Sequence, residues 1–461
     1  MRYYPLTAAQ NMHHQWIREY GTQQVSGVSI VASVKAHLDF NLLERCILLE
    51  YERYGCMRLQ FTKPDKSGNV KQYQVKKGPE KLEFYDLTGE KNLAAADAVM
   101  QQWAYETFDG DNIPMCEVRL VDLPEGYRGM FVHMDHRLVD SSALAVMVKD
   151  IFQLYLHYQF GTDYPKDLAD YVKVLERDLK RANDPKRLEK DRKFWAEQFD
   201  TYGEPLYSDI QGPSVLEEAR KKHNDPKLRA ADIERKELFV TVKDYYLEPY
   251  PSKRLFNFCT EHGISMTNLL LFAMRTYLSK QNNGQEDITI ENFISRRSTH
   301  DEWASGGSRT IMFPCRTIIP PDVEFLEALY MIQQTQNQVY LHGNYDPVYI
   351  REELEKRYNT PKDTTYESCF LTFQPVMSYQ KSKHLEGVPM HINWFANGAA
   401  TKKMYLTVSP NEKGELKFSF HYQTVKLTEK DIELMYYYMM RILFLGLDDS
   451  HLTVGEMMDR S

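Results

Sequence analysis

The sequence predicts an α+β protein made of two halves of similar size, and three observations carry that expectation. Met130, Val132 and Met134 alternate with Phe131, His133 and Asp135, a half-buried strand that runs directly into a helical pattern. Strand-like and helix-like stretches then succeed one another through the second half in the same style as through the first. Near the end, Met404–Val408 and Leu416–His421 flank Asn411-Glu412-Lys413-Gly414 as a hairpin.

Taken in order, the chain opens on Tyr4-Pro5-Leu6-Thr7-Ala8-Ala9-Gln10, followed by a short polar-aromatic helix. The β-branched weight of Val25, Val28, Ile30 and Val31 predicts a strand from about Val25 to Val34. From Asn41, Leu42, Cys46 and Leu49 with Leu43 and Ile47 make one apolar stripe that ends near Gly55. Met57–Phe61 and Val70–Val75 read as strands joined across Pro64-Asp65-Lys66-Ser67-Gly68. A helix over Leu93–Thr107 and a strand over Met115–Val121 lead, through Pro124-Glu125-Gly126, to the strand at 130–135. After it, Ser141 and Ser142 suit a helix start, and Leu144, Val148, Ile151, Tyr155 and Tyr158 repeat at helical spacing.

Residues 162–200 are charged and helical, interrupted at Pro185, with Trp195 and Phe199 as the expected buried contacts. Residues 201–235, rich in Gly and Pro and poor in apolar side chains, are the expected long connection. Domain boundaries are accordingly expected at 1–180 and 181–461. In the second half, Leu238–Val242, Ile288–Ile294 and Ile311–Ile318 read as strands and Leu269–Leu278 as a strongly apolar helix. The last helix starts at Thr428 with Asp431 three residues on, a capping-box pair, and presents Ile432, Met435, Tyr436, Met439 and Leu443 to a core.

Composition narrows the class. The 461 residues are 43 % apolar and 26 % charged, ordinary for a globular protein, and 13 % aromatic with 31 Tyr. A formal charge of −8 gives no reason to expect nucleic acid as a partner. Six scattered cysteines form no CxxC, so neither a metal site nor a disulfide framework is expected. With no run of 18 apolar residues and no basic start followed by an apolar segment, a cytoplasmic protein without membrane contact is expected.

Between the strand at 130–135 and the helix from Ser141 lies His136-Arg137-Leu138-Val139-Asp140. An imidazole on such a turn can face a cavity while its backbone is held from both sides. The HxxxD spacing alone says little, since with 14 histidines about one match arises by chance. A second one, His342 to Asp346, sits in a Gly/Asn/Pro-rich turn with no strand before it. Context favours His136.

Further residues carry a resemblance. Tyr4-Pro5-Leu6-Thr7 with Gln10 is similar to the opening PLT/S-x-x-Q motif of the condensation-domain family of nonribosomal peptide synthesis. That family lies within the superfamily of chloramphenicol acetyltransferase and the carnitine acyltransferases. Arg53–Phe61 resembles its RHexLRTxF motif, with Tyr54 where a His is usual. Phe108-Asp109 and Pro114 match the segment before the catalytic strand, and His136 and Asp140 fall on the second His and the Asp of HHxxxDG. Asp191 with Phe194-Trp195, Asp287–Arg297, and Gly307 with Pro314 and Arg316 extend the match over about 5–450. The departures are Asp135 for the first His, Ser141 for the Gly, and Ala143 where a Ser is common.

The resemblance implies two chloramphenicol-acetyltransferase-like halves in a V shape with a tunnel at their interface. It implies His136 as catalytic general base or orienting residue. Asp140 and Arg297 become a structural pair from different halves, Asp135, Ser141 and Ser142 line the donor channel, and Arg296 is a candidate substrate contact. The donor would be a phosphopantetheine thioester on an acyl or peptidyl carrier protein or CoA, and the acceptor a small amine or alcohol. No cofactor would be bound covalently, and a free-standing monomer is expected. The alternative is a catalytically degenerate relative serving as a binding or scaffold module. Direct attack needs a deprotonated nucleophile and a stabilised oxyanion, not a Ser or Cys nucleophile. The helix N-terminus beside His136 favours the neutral imidazole. Lys402 and Lys403 read as surface charges, with a CoA phosphate as their less favoured use.

Overall fold

The computed structural model describes residues 1–375 and 387–461. Contacts divide the chain into two compact units that are not simple sequence halves. The first comprises Met1–Asp184, Ser295–Thr310 and, among described residues, 387–399; the second takes the remainder.

Up to Asp184 the first unit contains β1 (Tyr4–Pro5), α1 (Ala8–Tyr20), β2 (Gly27–Val34), α2 (Phe40–Arg53), β3 (Leu59–Phe61), β4 (Lys71–Gln74), β5 (Glu83–Asp86), α3 (Leu93–Trp103), β6 (Cys116–Asp122), β7 (Arg128–Asp135), α4 (Ser141–Phe160) and α5 (Tyr171–Ala182). The second begins with α6 (Pro185–Tyr202), α7 (Ser214–Lys222), β8 (Ala231–Asp232), β9 (Val240–Leu247), α8 (Pro249–His262), α9 (Met266–Gln281) and β10 (Asp287–Ser295). The chain returns to the first unit at α10 (His300–Ala304). It then runs through β11 (Thr310–Ile318), α11 (Phe325–Leu341), α12 (Pro347–Tyr358), β12 (Thr364–Thr365) and β13 (Cys369–Phe373). β14 (Met390–Phe395) again belongs to the first unit, and β15 (Met404–Pro410), β16 (Leu416–Gln423), α13 (Glu429–Asp448) and α14 (Val454–Arg460) close the second.

In the first unit a five-stranded sheet has the order β14-β2-β7-β6-β5. β7 is its centre, paired antiparallel to β2 from Val34↔Arg128 to Gly27↔Asp135, and to β6 on the other side. A central strand next to a helix start gives the site a rigid base. Ile30, Ala32, Met130, Val132 and Met134 bury one sheet face against Leu144, Met147, Val148 and Ile151 of α4. Val31 and Phe131 face the other way, onto Ala96 and Met100 of α3. This is the alternation read from the sequence, except that both faces are covered.

The second unit holds a six-stranded sheet, β11-β10-β13-β15-β16-β9, with its own core around Leu269–Leu278, Phe418, Phe420, Met435 and Met439. The predicted hairpin is present with register Met404↔Tyr422 to Pro410↔Leu416, and the Thr428–Asp431 capping box is formed. Ile432, Met435, Met439 and Leu443 are buried, while Tyr436 is only partly so. Trp195 and Phe199 are buried as expected.

Several bounds differ from the expectation. The helix expected to Thr107 stops at Trp103, and residues 23–26 form a 3-10 turn ahead of β2. The connection 201–235 holds α7 and β8, because Leu216 and Ala219, three residues apart, supply enough buried face for a short helix. No described helix is long and apolar enough to cross a membrane. All six cysteines are free and buried.

Candidate active site at the end of strand β7

β7 ends at Asp135 and α4 begins at Ser141, so His136–Asp140 is a five-residue crossing between two rigid elements. Asp140 is the N-cap, with Oδ1 accepting from the Ala143 amide at 3.0 Å. Ser141 and Ser142 are half-exposed residues of the first turn. Ser141 does not adopt a positive φ, so the backbone has no need of glycine here.

Asp140 is 1 % exposed and is the most heavily bonded group of the loop. Its Oδ2 accepts from Arg297 Nη1 at 2.6 Å, the Arg309 amide at 2.9 Å and the Thr310 hydroxyl at 3.0 Å. Burial by itself would raise this carboxyl; Arg297 and the donated hydrogen bonds reverse that and hold it at about 2. The expected Asp140–Arg297 pair is therefore present, but inside one unit, since 295–310 belongs to the first. Arg297 Nη2 also donates to the Gly307 carbonyl at 3.0 Å, and Val139 bridges to Gly307. Gly306 and Gly307 have φ of +73° and +86°, and a Cβ there would meet Cys56, Tyr54 or Tyr171 at 2.5–2.9 Å. Only glycine lets this loop come so close. Tyr54, fully buried, donates to the Ala143 carbonyl at 3.1 Å and so ties α2 to the first turn of α4.

Asp135, expected along a donor channel, is instead enclosed at 1 % exposure. Its oxygens accept from Arg137 Nε and Nη2, both at 2.9 Å, from the Arg137 amide at 2.8 Å, from Gln23 at 2.6 Å and from Ser26 at 3.3 Å. Against the upward push of burial, this set keeps its pKa below the usual carboxylate value. Arg137 lies over the Phe61 ring at 4.2 Å, and its carbonyl accepts from Gln10 Nε2 at 3.1 Å. Gln10 in turn exchanges amide bonds with Gln72 at 2.9 and 2.7 Å, and the Tyr171 hydroxyl donates to Gln72 Oε1 at 2.8 Å. The residues on either side of His136 are thus clamped.

His136 itself is half-buried. Its amide donates to the Ser26 carbonyl at 2.6 Å, and its Nδ1 is buried without a hydrogen-bond partner. The contrast with His133 is instructive. That ring is bonded by Ser29 at 2.8 Å and the Glu106 carbonyl at 3.0 Å, and stacks on Phe108. His133 is a satisfied histidine; His136 is held by its backbone and keeps its ring unengaged by hydrogen bonds. What does touch the ring is His13, stacked at 4.3 Å between centroids. No motif in the sequence marks His13; the one signal is its place three residues after the motif Gln10, on the same face of α1.

Arg296 is half-buried among Asp178, Glu302, Arg309 and Arg181, and burial lowers its pKa to about 10. Lys402 and Lys403 are not surface charges: they pair with Glu291 and Glu367, and with Asp209. The second HxxxD is a helix junction, where His342 pairs with Asp191 at 2.8 Å and Asp346 caps α12. No group of three metal-ligating side chains occurs among the described residues.

A family model described as the condensation domain matches residues 1–458. Surfactin synthase subunit 1 of Bacillus subtilis (strain 168) is 22 % identical over 470 residues, covering 99 % of this chain and 12 % of that protein. Gramicidin S synthase 2 of Brevibacillus brevis is 22 % identical over 465 residues, covering 98 % of this chain and 9 % of that protein. The chain thus spans a small part of the length of these relatives. Among solved structures, the first condensation domain of the calcium-dependent antibiotic synthetase, in complex with a substrate analogue, superposes with a TM-score of 0.78 at 16 % identity over 99 % of both chains. A mutant starter condensation domain of rhizomide synthetase, in complex with C8-CoA, gives 0.79 at 15 % identity over 98 % of this chain and 96 % of that one. The α+β, chloramphenicol acetyltransferase-like fold expected from the sequence is the fold of these neighbours.

Proposed function

The chain belongs to the condensation-domain family, and from that premise we propose that it transfers an acyl or aminoacyl group from a phosphopantetheine thioester to an amine or hydroxyl acceptor, with His136 as general base or orienting group. The observation that carries this reading is the state of His136: its backbone is clamped on both sides, while its ring makes no hydrogen bond and its Nδ1 is sealed. That leaves Nε2 for proton exchange.

The acceptor N–H or O–H attacks the thioester carbonyl. Nε2 takes the proton as the new C–N or C–O bond forms, and the pantetheine thiolate leaves with that proton as the C–S bond breaks. Asp135 acts as a clamp on the His136 loop rather than as a channel residue. Ser141 and Ser142, half-exposed on the first turn of α4, are the donor-side residues. Arg296 is the candidate contact for a substrate anion. The donor is carried by CoA or a carrier protein, both of which suit a cytoplasmic protein; the rhizomide neighbour was solved with C8-CoA.

The test is His136→Ala with acyl-CoA and acyl-carrier donors against a panel of amine and alcohol acceptors. Loss of one general base should lower turnover by about 10²–10⁴ with the melting temperature unchanged. Turnover near that of the wild type would overturn the assignment. The second reading, a silent binding module, is favoured by Ser141 in place of the motif Gly. It also draws on a further neighbour, the X-domain of teicoplanin biosynthesis solved in complex with OxyB, at a TM-score of 0.73 and 16 % identity. It predicts no turnover in the wild type with any donor.

A further inference from the structure

A base that takes a proton becomes a cation, and a half-buried cation whose Nδ1 is sealed from solvent gains from a partner. The two carboxylates nearest the His136 loop are already engaged, Asp135 by Arg137, Gln23 and Ser26, and Asp140 by Arg297, Arg309, Thr310 and Ala143. Nδ1 of His136 meets no acceptor. What lies against the imidazole is the face of another: the His13 ring stacks on it at 4.3 Å with 18° between planes.

His13 is 3 % exposed. It is fixed from two directions. Trp16 packs edge-on to it at 5.0 Å and 82°, and α1 is itself tied to the site by the bond from Gln10 to the Arg137 carbonyl. Burial first, then the neighbouring His136, hold the His13 pKa well below the usual histidine range, with Asp135 and Asp140 pulling it up and Arg137 pushing it down. The ring accordingly stays neutral, and a neutral aromatic face attracts a cation placed over it.

We propose that His13 is a positioning residue that fixes the His136 ring plane and offers its neutral aromatic face to the imidazolium that His136 becomes during acyl transfer. The inference rests on the acyl-transfer reading. Because the interaction strengthens only as the proton arrives, it acts on kcat and not on KM.

The experiment uses the full chain and three variants. His13→Phe keeps a flat aromatic face, His13→Leu fills the space without one, and His13→Met serves in its place if the leucine variant does not fold. The first readout is NMR titration of the His136 ring, identified by its loss in His136→Gln, and it requires no substrate. His13→Leu or His13→Met should weaken proton binding by about 3- to 30-fold, with His13→Phe within about twofold of wild type. In turnover, the leucine variant should lose kcat by a similar factor at unchanged KM, with the acid limb of the pH profile moved to lower pH, and phenylalanine should restore both. An unchanged His136 titration in the leucine or methionine variant, or an equal loss in phenylalanine, overturns the proposal. Turnover that survives His136→Ala overturns the acyl-transfer role of His136 instead, whatever the titration shows.

Discussion

Asp135 stands where the resemblance expects a histidine, and it has an occupation of its own. Its carboxylate closes a turn onto the Arg137 amide and forms a two-pronged ion pair with the guanidinium, enclosing the backbone of His136 between the two. Both partners are almost fully buried. Arg137→Met, which keeps an apolar stem over Phe61, leaves Asp135 as an uncompensated charge and should cost on the order of 3–5 kcal/mol. Adding Asp135→Asn should recover much of that loss, since the orphaned charge is then gone. Urea titration of the single and double variants checks both values. If the double variant is as unstable as the sum of the singles, the pair is not coupled. The sequence showed His136, Asp140 and Arg297, because each falls on a motif with fixed spacing. It did not show the Asp135–Arg137 clamp. Strand alternation places the two on one side of His136 only if the extended pattern continues past the strand end, and β7 ends at Asp135.

At the scale of elements, the loop 295–310 and the start of α4 form one joint, closed by Asp140. Asp140→Ala and Arg297→Ala should each lower the melting temperature markedly, and the double variant should do less harm than their sum. Arg296→Ala, on the neighbouring side chain, should cost little. The pH dependence has a definite sign. A carboxyl held at about 2 in the folded state, below its unfolded value near 4, contributes stability that is complete above pH 4 and is lost as pH falls toward 2. Calorimetry between pH 5 and 2 should therefore show wild type and Asp140→Asn converging at the acid end. Glu50 of α2 has the opposite sign. It is fully buried, with its carboxyl raised well above the usual range by burial and by neighbouring Asp150. Keeping it protonated becomes more costly as pH rises above its unfolded value, so Glu50→Gln should stabilise the protein at pH 8 and change little near pH 4. Elements with a strong local period were legible from sequence, as α2, β7, α4 and α13 illustrate. α8 was not, because its opening Pro249-Tyr250-Pro251 looks like a breaker, although proline is tolerated in a first helical turn. β14 was not, although Met390, Ile392 and Trp394 alternate with His391 and Asn393, because the segment is only six residues long and its partner β2 lies more than 350 positions upstream.

For the whole molecule, the first unit runs from the start to Asp184, and the chain crosses back into it twice. The first crossing delivers Arg297, Gly306, Gly307 and Arg309 to Asp140. The second delivers β14, which pairs with β2 over six residues from Ser29↔Phe395 to Val34↔Met390 and covers what would otherwise be an open sheet edge. A chain of residues 1–184 would lack both. Asp140 would lose its ion pair and two further hydrogen bonds, and β2 would present unpaired backbone groups along the side that β14 covers. Single-domain stabilities are only about 5–15 kcal/mol, so a unit that loses both this joint and an edge strand has little margin left. The isolated fragment 1–184 should therefore show no cooperative thermal transition and should self-associate through the exposed β2 edge. Supplying residues 295–310 and 387–399 on linkers should restore a transition, and Arg297→Ala within the added segment should weaken it. A fragment 1–184 that melts cooperatively as a monomer would show that the returning segments decorate the first unit instead of completing it.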